Sequence, residues 1–241
     1  MSRWVGCINS RFRFENFVLD ASNSEAYEAA QKVAKGLSCG IPVVIHSEAG
    51  MGKTHLLHAI GNEVLRSNPK AKVALFSAEW FSSEFISAKR NKTIETFRAK
   101  ITRHYSIFMV DQMTFIDRKP SAQIELFLTL RDYSRNGCGI VLASALPIEA
   151  MTEWLDEFKG WMQSGINVGI TEPTVESRLV FLKNNLAEKG MPTNDKLVEC
   201  LHLMAGTSFR ELETAVILLQ AASRLDSVHP TAEYTRKVLE Q

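Results

Sequence analysis

The sequence predicts an α/β fold: a parallel five-stranded sheet sandwiched by helices, followed by a small, all-helical lid. Three observations predict it. Short apolar runs alternate with amphipathic helical stretches as far as Glu172. The first strong run leads through a glycine-containing loop straight into a helix. Beyond Pro173 no further strand pattern appears and only helical stretches continue.

Val43 to His46, Val73 to Phe76, Ile107 to Asp111 and Ile140 to Ser144 read as buried strands, with Ile166 to Ile170 a weaker fifth. Between them lie the helical stretches Ser24 to Lys35, Lys53 to Arg66, two around Ala78 to His104, and Ala122 to Arg135. Strands separated by helices of this length belong to a parallel sheet with helices on both faces. Val175 to Glu188, Asp195 to Met204, Ser208 to Arg224 and Thr231 to Glu240 read as further helices, broken at Gly190, Gly206 and Pro230. The residue before a proline is pushed toward extended geometry. Pro173 therefore marks a boundary, with residues 1–172 as the α/β domain and 173–241 as the lid.

At 241 residues, 45% hydrophobic and 23% charged, the chain can bury a substantial core without staples. A net charge of +1 gives no global field toward nucleic acid or membrane, so such binding must rest on a local patch. Cys7, Cys39, Cys138 and Cys200 are scattered without a C-x-x-C pair, which argues against zinc and for reduced, partly buried thiols. With no apolar leader and no apolar run of spanning length, a cytoplasmic protein without a membrane partner is expected.

The run Ser47-Glu48-Ala49-Gly50-Met51-Gly52-Lys53-Thr54 follows an apolar stretch and opens into His55-Leu56-Leu57-His58-Ala59-Ile60. That is the strand–loop–helix setting of a phosphate-binding P-loop, although Ser47 stands where the pattern has its first glycine. Gly50 and Gly52 let backbone N–H groups turn inward without a Cβ in the way. Lys53 would supply charge to the β and γ phosphates, Thr54 a hydroxyl to magnesium, and the helix amino terminus at His55 its dipole. ATP or ADP with magnesium is the expected ligand. The competing account, a chance GKT turn on a surface loop, does not explain the flanking strand and helix.

Asp111 closes the run Ile107-Phe108-Met109-Val110. An acid there can hold magnesium through water. The next residue is Gln112. An amide can orient water but cannot take its proton, and general-base assistance is worth about 10²–10⁴ in rate. Slow hydrolysis is expected on that ground.

Several stretches together resemble a known family. They include Phe14-Glu15-Asn16-Phe17-Val18, Ser22-Asn23 and Gly52-Lys53-Thr54-His55-Leu56-Leu57-His58-Ala59-Ile60-Gly61-Asn62. They continue through Asn68-Pro69-Lys70-Ala71-Lys72-Val73, Ser77-Ala78-Glu79-Trp80-Phe81, Glu172-Pro173 and Phe209-Arg210-Glu211-Leu212-Glu213. The chain resembles the AAA+ core of the bacterial replication initiator DnaA family, which includes short regulators such as Hda. The resemblance implies an AAA+ P-loop NTPase fold and a role in replication initiation or its regulation. It implies docking on another AAA+ protein, most naturally the DnaA initiator or a second copy. No helix-turn-helix segment is legible, so recognition of duplex initiator boxes is not expected.

Departures from the family pattern carry as much information. Where the family has an aspartate after the fourth strand, this chain has Ala143-Ser144-Ala145. Where the family carries arginines, one of them a finger reaching a neighbour's γ-phosphate, this chain has Trp154-Leu155-Asp156-Glu157-Phe158-Lys159-Gly160-Trp161. Such a finger is worth about 10³–10⁵ in rate, and Lys159 lacks its planar fork. Arg210 matches the family's sensor arginine, and Ser208-x-x-Glu211 reads as a capping box that puts it in a first helical turn. Nucleotide-binding residues are kept while Gln112, Ala145 and Trp161 replace groups of hydrolysis or sensing. The expectation is a nucleotide-gated binding module with weak or no ATPase activity. An active AAA+ ATPase serving as helicase loader or mobile-element ATPase, and a non-replicative scaffold, are the alternatives.

Lys89, Arg90, Lys92, Arg98, Lys100 and Arg103 face a single acid, Glu95, while Ile94, Phe97 and Ile101 fall at core-facing helical spacing. The family resemblance implies single-stranded DNA contact by this segment, through Arg90, Lys92 and Lys100. A solvated helix face is the equal alternative.

Overall fold

The computed structural model describes residues 8–101 and 105–240. Cys7, Arg103 and His104, named above, lie outside the described residues. The chain divides into two units. One comprises Met1–Phe17, Glu25–Glu48 and Lys53–Ile170, the other Val18–Ser24, Ala49–Gly52 and Thr171–Gln241. No described helix is long and apolar enough to cross a membrane.

The first unit is built on strands β1 (Pro42–His46), β2 (Val73–Ser77), β3 (Ile107–Asp111), β4 (Gly139–Ser144) and β5 (Ile166–Gly169). They form one parallel sheet in the order β2-β3-β4-β1-β5. All five expected strands are present. The first four are almost wholly buried, as continuous apolar runs require in a sheet covered on both faces. β5 is an edge strand with Ile166 and Asn167 exposed, which is why its signal was weak.

Helices α1 (Ser24–Ala34), α2 (Lys53–Ser67), α3 (Ala78–Arg90), α4 (Ile94–Ile101), α5 (Pro120–Arg135) and α6 (Asp156–Gln163) fill the connections. The oxygen of Ser77 accepts from the Trp80 N–H and caps α3. Pro120 opens α5 at a position where its missing N–H costs nothing, two residues before the expected start. Sequence periodicity did not reveal α6. It has only eight residues and is held by aromatic contacts from outside it. Phe158 stacks on Phe127 of α5 at 5.0 Å, and Trp161 meets the same ring edge-on at 5.9 Å.

The basic segment differs from its sequence reading in one respect. Arg98 is not a loose surface charge. Its guanidinium forms two parallel 2.8 Å hydrogen bonds to Glu125 of α5, whose carboxylate is buried, and a 3.3 Å contact to Glu95. The pairing raises the Arg98 pKa. Arg98 thus joins α4 to α5, and Phe97 and Ile101 pack inward as expected.

The second unit contains α7 (Val175–Glu188), α8 (Asp195–Met204), α9 (Phe209–Asp226) and α10 (Ala232–Leu239). Leu182, Leu186, Leu197, Leu201, Leu212, Val216 and Leu219 form its core. Each helix begins at a capping side chain, respectively Thr174, Asn194, Ser208 and Thr231. The capping box of Ser208 and Glu211 is present.

Residues 18–24 belong to this unit through Asp20. Its carboxylate accepts from the Ser22 hydroxyl and N–H, and from the Thr174 N–H at 2.9 Å where α7 begins. The Ser22 carbonyl accepts from Thr171 N–H at 3.0 Å. Burial works to raise the Asp20 pKa, but hydrogen bonds from Ser22, Thr174 and Ser177 outweigh it and bring the carboxyl down to about 2. A carboxylate depressed in the folded state stabilises at pH values above its usual 3.8, and that stability is lost as pH falls through about 2. Asp20→Asn is expected to cost on the order of 1–2 kcal/mol at pH 7, after discounting for solvent screening. Chemical denaturation from pH 7 to pH 2 should show the wild-type advantage disappearing over the acid end.

Candidate nucleotide site

β1 is an interior strand of the sheet, paired on one side with β4 and on the other with β5. The loop that follows runs directly into α2. Gly50 and Gly52 in it adopt φ values of 86° and 105°, the left-handed region that side chains rarely enter. Glu48 and Ala49 are exposed and Met51 is buried. Lys53 folds back over the loop. Its ammonium donates to the Ser47 carbonyl at 2.6 Å, the Ser47 hydroxyl at 2.9 Å and the Glu48 carbonyl at 2.7 Å. A tethered cation thus stands at the amino end of a fifteen-residue helix, where the first-turn backbone N–H groups have no partner within the helix.

Thr54, in the first turn of α2, donates its hydroxyl to Asp111 Oδ2 at 2.7 Å. The other oxygen, Oδ1, accepts from the Gln112 N–H at 2.7 Å. Gln112 itself has φ 57° and ψ 44°, and its side chain is exposed. A hydroxyl and a carboxylate this close form a hard-oxygen pair of the type that magnesium uses, with water and phosphate completing its shell. No group of three or more His, Cys, Asp or Glu suited to a metal occurs among the described residues. Magnesium bound with phosphate needs none.

His55 points away from the loop. Its Nε2 donates to the Arg13 carbonyl at 2.8 Å, and its ring meets Phe12 and Phe17 at 5.0 and 5.1 Å. Burial lowers its pKa, with the hydrogen bond to Arg13 opposing the shift, and the ring is committed to segment 8–17. His58 Nδ1 accepts from the Asn9 N–H at 3.1 Å. Asn62 donates to the carbonyls of Asn9 and Phe12 at 2.9 and 2.7 Å. A Cβ on Gly61 would meet Ile8 at 2.6 Å. His55, His58 and Asn62 therefore share one face of α2 and bind the segment 8–17 as a strap. The sequence reading missed this role. Its signal was the i, i+3, i+7 spacing of polar groups opposite the apolar face. His46, also missed, ends β1; burial lowers its pKa, with Glu149 opposing and nearby Lys53 reinforcing the shift.

The substituted positions are equally concrete. Ala145 is exposed just beyond β4. Trp161 is half-buried and packs on α5, so this position serves the core. Arg90 on α3, Lys92 in the connection and Lys100 on α4 are exposed. In the second unit Arg210 occupies the first turn of α9 with its side chain exposed.

The family model for the bacterial DnaA ATPase domain matches residues 8–169. The chain belongs to the bacterial DnaA ATPase-domain family. It is a DnaA-like AAA+ domain, homologous to a replication initiator. Domain III of the Thermotoga maritima replication initiation protein DnaA is 27% identical, with a TM-score of 0.92 over 97% of this chain and 98% of that one. AMPPCP-bound DnaA from Aquifex aeolicus is 25% identical, with a TM-score of 0.80 over 95% of this chain and 71% of that one. A DnaA replication initiator bound to AMPPCP and single-stranded DNA is also 25% identical, with a TM-score of 0.79, covering 91% and 69% of the two chains.

Within the second unit, Gly50 of this DnaA-family loop lies against α9. A Cβ there would sit 2.7 Å from Ser208 Oγ and 3.0 Å from Arg210 Cβ. Gly50→Ala therefore meets both a clash and an unfavourable φ. It should lower stability by about 1–3 kcal/mol, read as a drop in the thermal midpoint without added nucleotide.

Proposed function

We propose that this DnaA-family chain binds ATP or ADP with magnesium and acts in replication initiation or its regulation as a nucleotide-gated docking module, with weak or no hydrolysis. The observation that carries the reading is the Thr54–Asp111 pair at 2.7 Å beside the tethered Lys53, with Gln112 where an acid would activate water. In this reading residues 1–172 are the nucleotide-binding domain and 173–241 the lid. The backbone from Glu48 through Ala49, Gly50, Met51 and Gly52 to His55 cradles the phosphates. Lys53 exchanges its carbonyl partners for phosphate oxygens. Thr54 and Asp111 would hold magnesium, which supplies charge neutralisation on the phosphates. Arg210 senses the nucleotide. The partner is another AAA+ subunit, the DnaA initiator or a second copy.

Two rate losses support weak turnover. Gln112 forfeits general-base assistance of about 10²–10⁴. α6 offers a neighbour Lys159 in place of an arginine fork, and its outermost aromatic is committed to packing. Steady-state turnover is therefore expected at least about 10²-fold below an active AAA+ ATPase. Adenine nucleotide should co-purify, and Lys53→Ala should abolish its binding. Gln112→Glu should raise turnover about tenfold or more with affinity little changed. Wild-type turnover equal to an active AAA+ ATPase would overturn the reading.

The exposed cations Arg90, Lys92 and Lys100 support weak contact with the backbone of single-stranded DNA. A solved relative carries single-stranded DNA, which fits the same use. Fluorescence anisotropy with an oligo-dT should show binding that weakens steeply with salt. Joint reversal to Lys92→Glu and Lys100→Glu should weaken it at least about tenfold. No binding at low salt would end this part of the proposal.

A further inference from the structure

α9 is apolar on both faces. Leu212, Ala215, Val216 and Leu219 fill the core of the helical unit. On the opposite side Ile217 is 48% exposed, Leu218 52% and Leu225 84%, with Thr214 and Ala221 exposed between them. At about 100° per residue these five lie within one stripe of the helix surface, about three turns long. A second apolar stripe, left in solvent opposite the one that fills the core, marks a surface for a partner.

Charge at the margins of the stripe says what covers it. Glu213 and Arg224 lie on the same flank, about 20° apart around the axis, at opposite ends of the stripe. Both are exposed, and neither makes an ion pair among the described residues. An acid at one end and a base at the other, on one line, form a self-complementary pattern. It is satisfied when the same helix packs on itself antiparallel about a two-fold axis.

We propose that the outer face of α9 is a docking surface for a second copy of this chain, two α9 helices pairing antiparallel about an axis beside Leu218. Ile217 then faces the partner's Ala221, so that a large side chain meets a small one. Glu213 faces the partner's Arg224, and the symmetry forms this ion pair twice. Arg210 projects from the same side of α9 one turn before Thr214, so the stripe begins just beyond it, and the inference does not rest on how the nucleotide is used. With so few apolar anchors the pairing is weak, with a Kd on the order of micromolar.

The test is sedimentation equilibrium of the full chain across a concentration series, with circular dichroism confirming each variant's fold. The wild type should dimerise reversibly, and Leu218→Lys on the exposed face should leave it monomeric. Glu213→Arg alone and Arg224→Glu alone should each weaken the dimer about tenfold, because like charges then meet twice. The double variant E213R/R224E should return to within about threefold of wild type. A wild type that stays monomeric at high concentration overturns the proposal. So does a dimer that survives Leu218→Lys, or one that the charge swap fails to restore.

Discussion

The hydrogen bond from Thr54 to Asp111 joins residues 57 apart in sequence, and the geometry of the candidate site is built around it. It exists because β1 and β3 run parallel with only β4 between them, so both strands exit at the same end of the sheet within reach of one another. The chain leaving β1 must turn at once into α2 to deliver Thr54 from its first turn. Gly50 and Gly52 make that turn in left-handed conformations. Without them the helix would begin elsewhere, and the Lys53 ammonium would lose the Ser47 and Glu48 oxygens that tether it.

A second constraint acts on the outer side of α2. The strap 8–17 has little regular structure of its own, so its backbone groups need partners from elsewhere. Asn62 and His58 supply them, and His55 closes the row through Arg13. One helix thus carries the candidate nucleotide-site residues at its amino end, an apolar face to the sheet and a polar face to the strap. Few substitutions along it avoid all three demands. That accounts in physical terms for why the stretch from Gly52 to Asn62 is so distinctive.

The strands were legible because each is a short, continuous apolar run, and the helices of the second unit because their helical patterns are broken at Gly190, Gly206 and Pro230, with a capping box at Ser208. α6 was not legible, since its stability comes from Phe127 on another helix. Arg98 misled for the same reason. Its neighbours in sequence make it look like one of a row of surface cations, while Glu125, 27 residues away, takes it up.

What the sequence determined by itself is whatever local chemistry encodes: a loop of glycines followed by Lys53 and Thr54, an acid at the end of a buried strand, and Gln112 after it. Tertiary structure decided which of these groups meet. It paired Thr54 with Asp111, turned the His55 ring to the strap, bound Arg98 to Glu125 and left one side of α9 in solvent. Side-chain type sets what a group can do. Strand order and helix packing set its partners, because they bring together residues that no local pattern links.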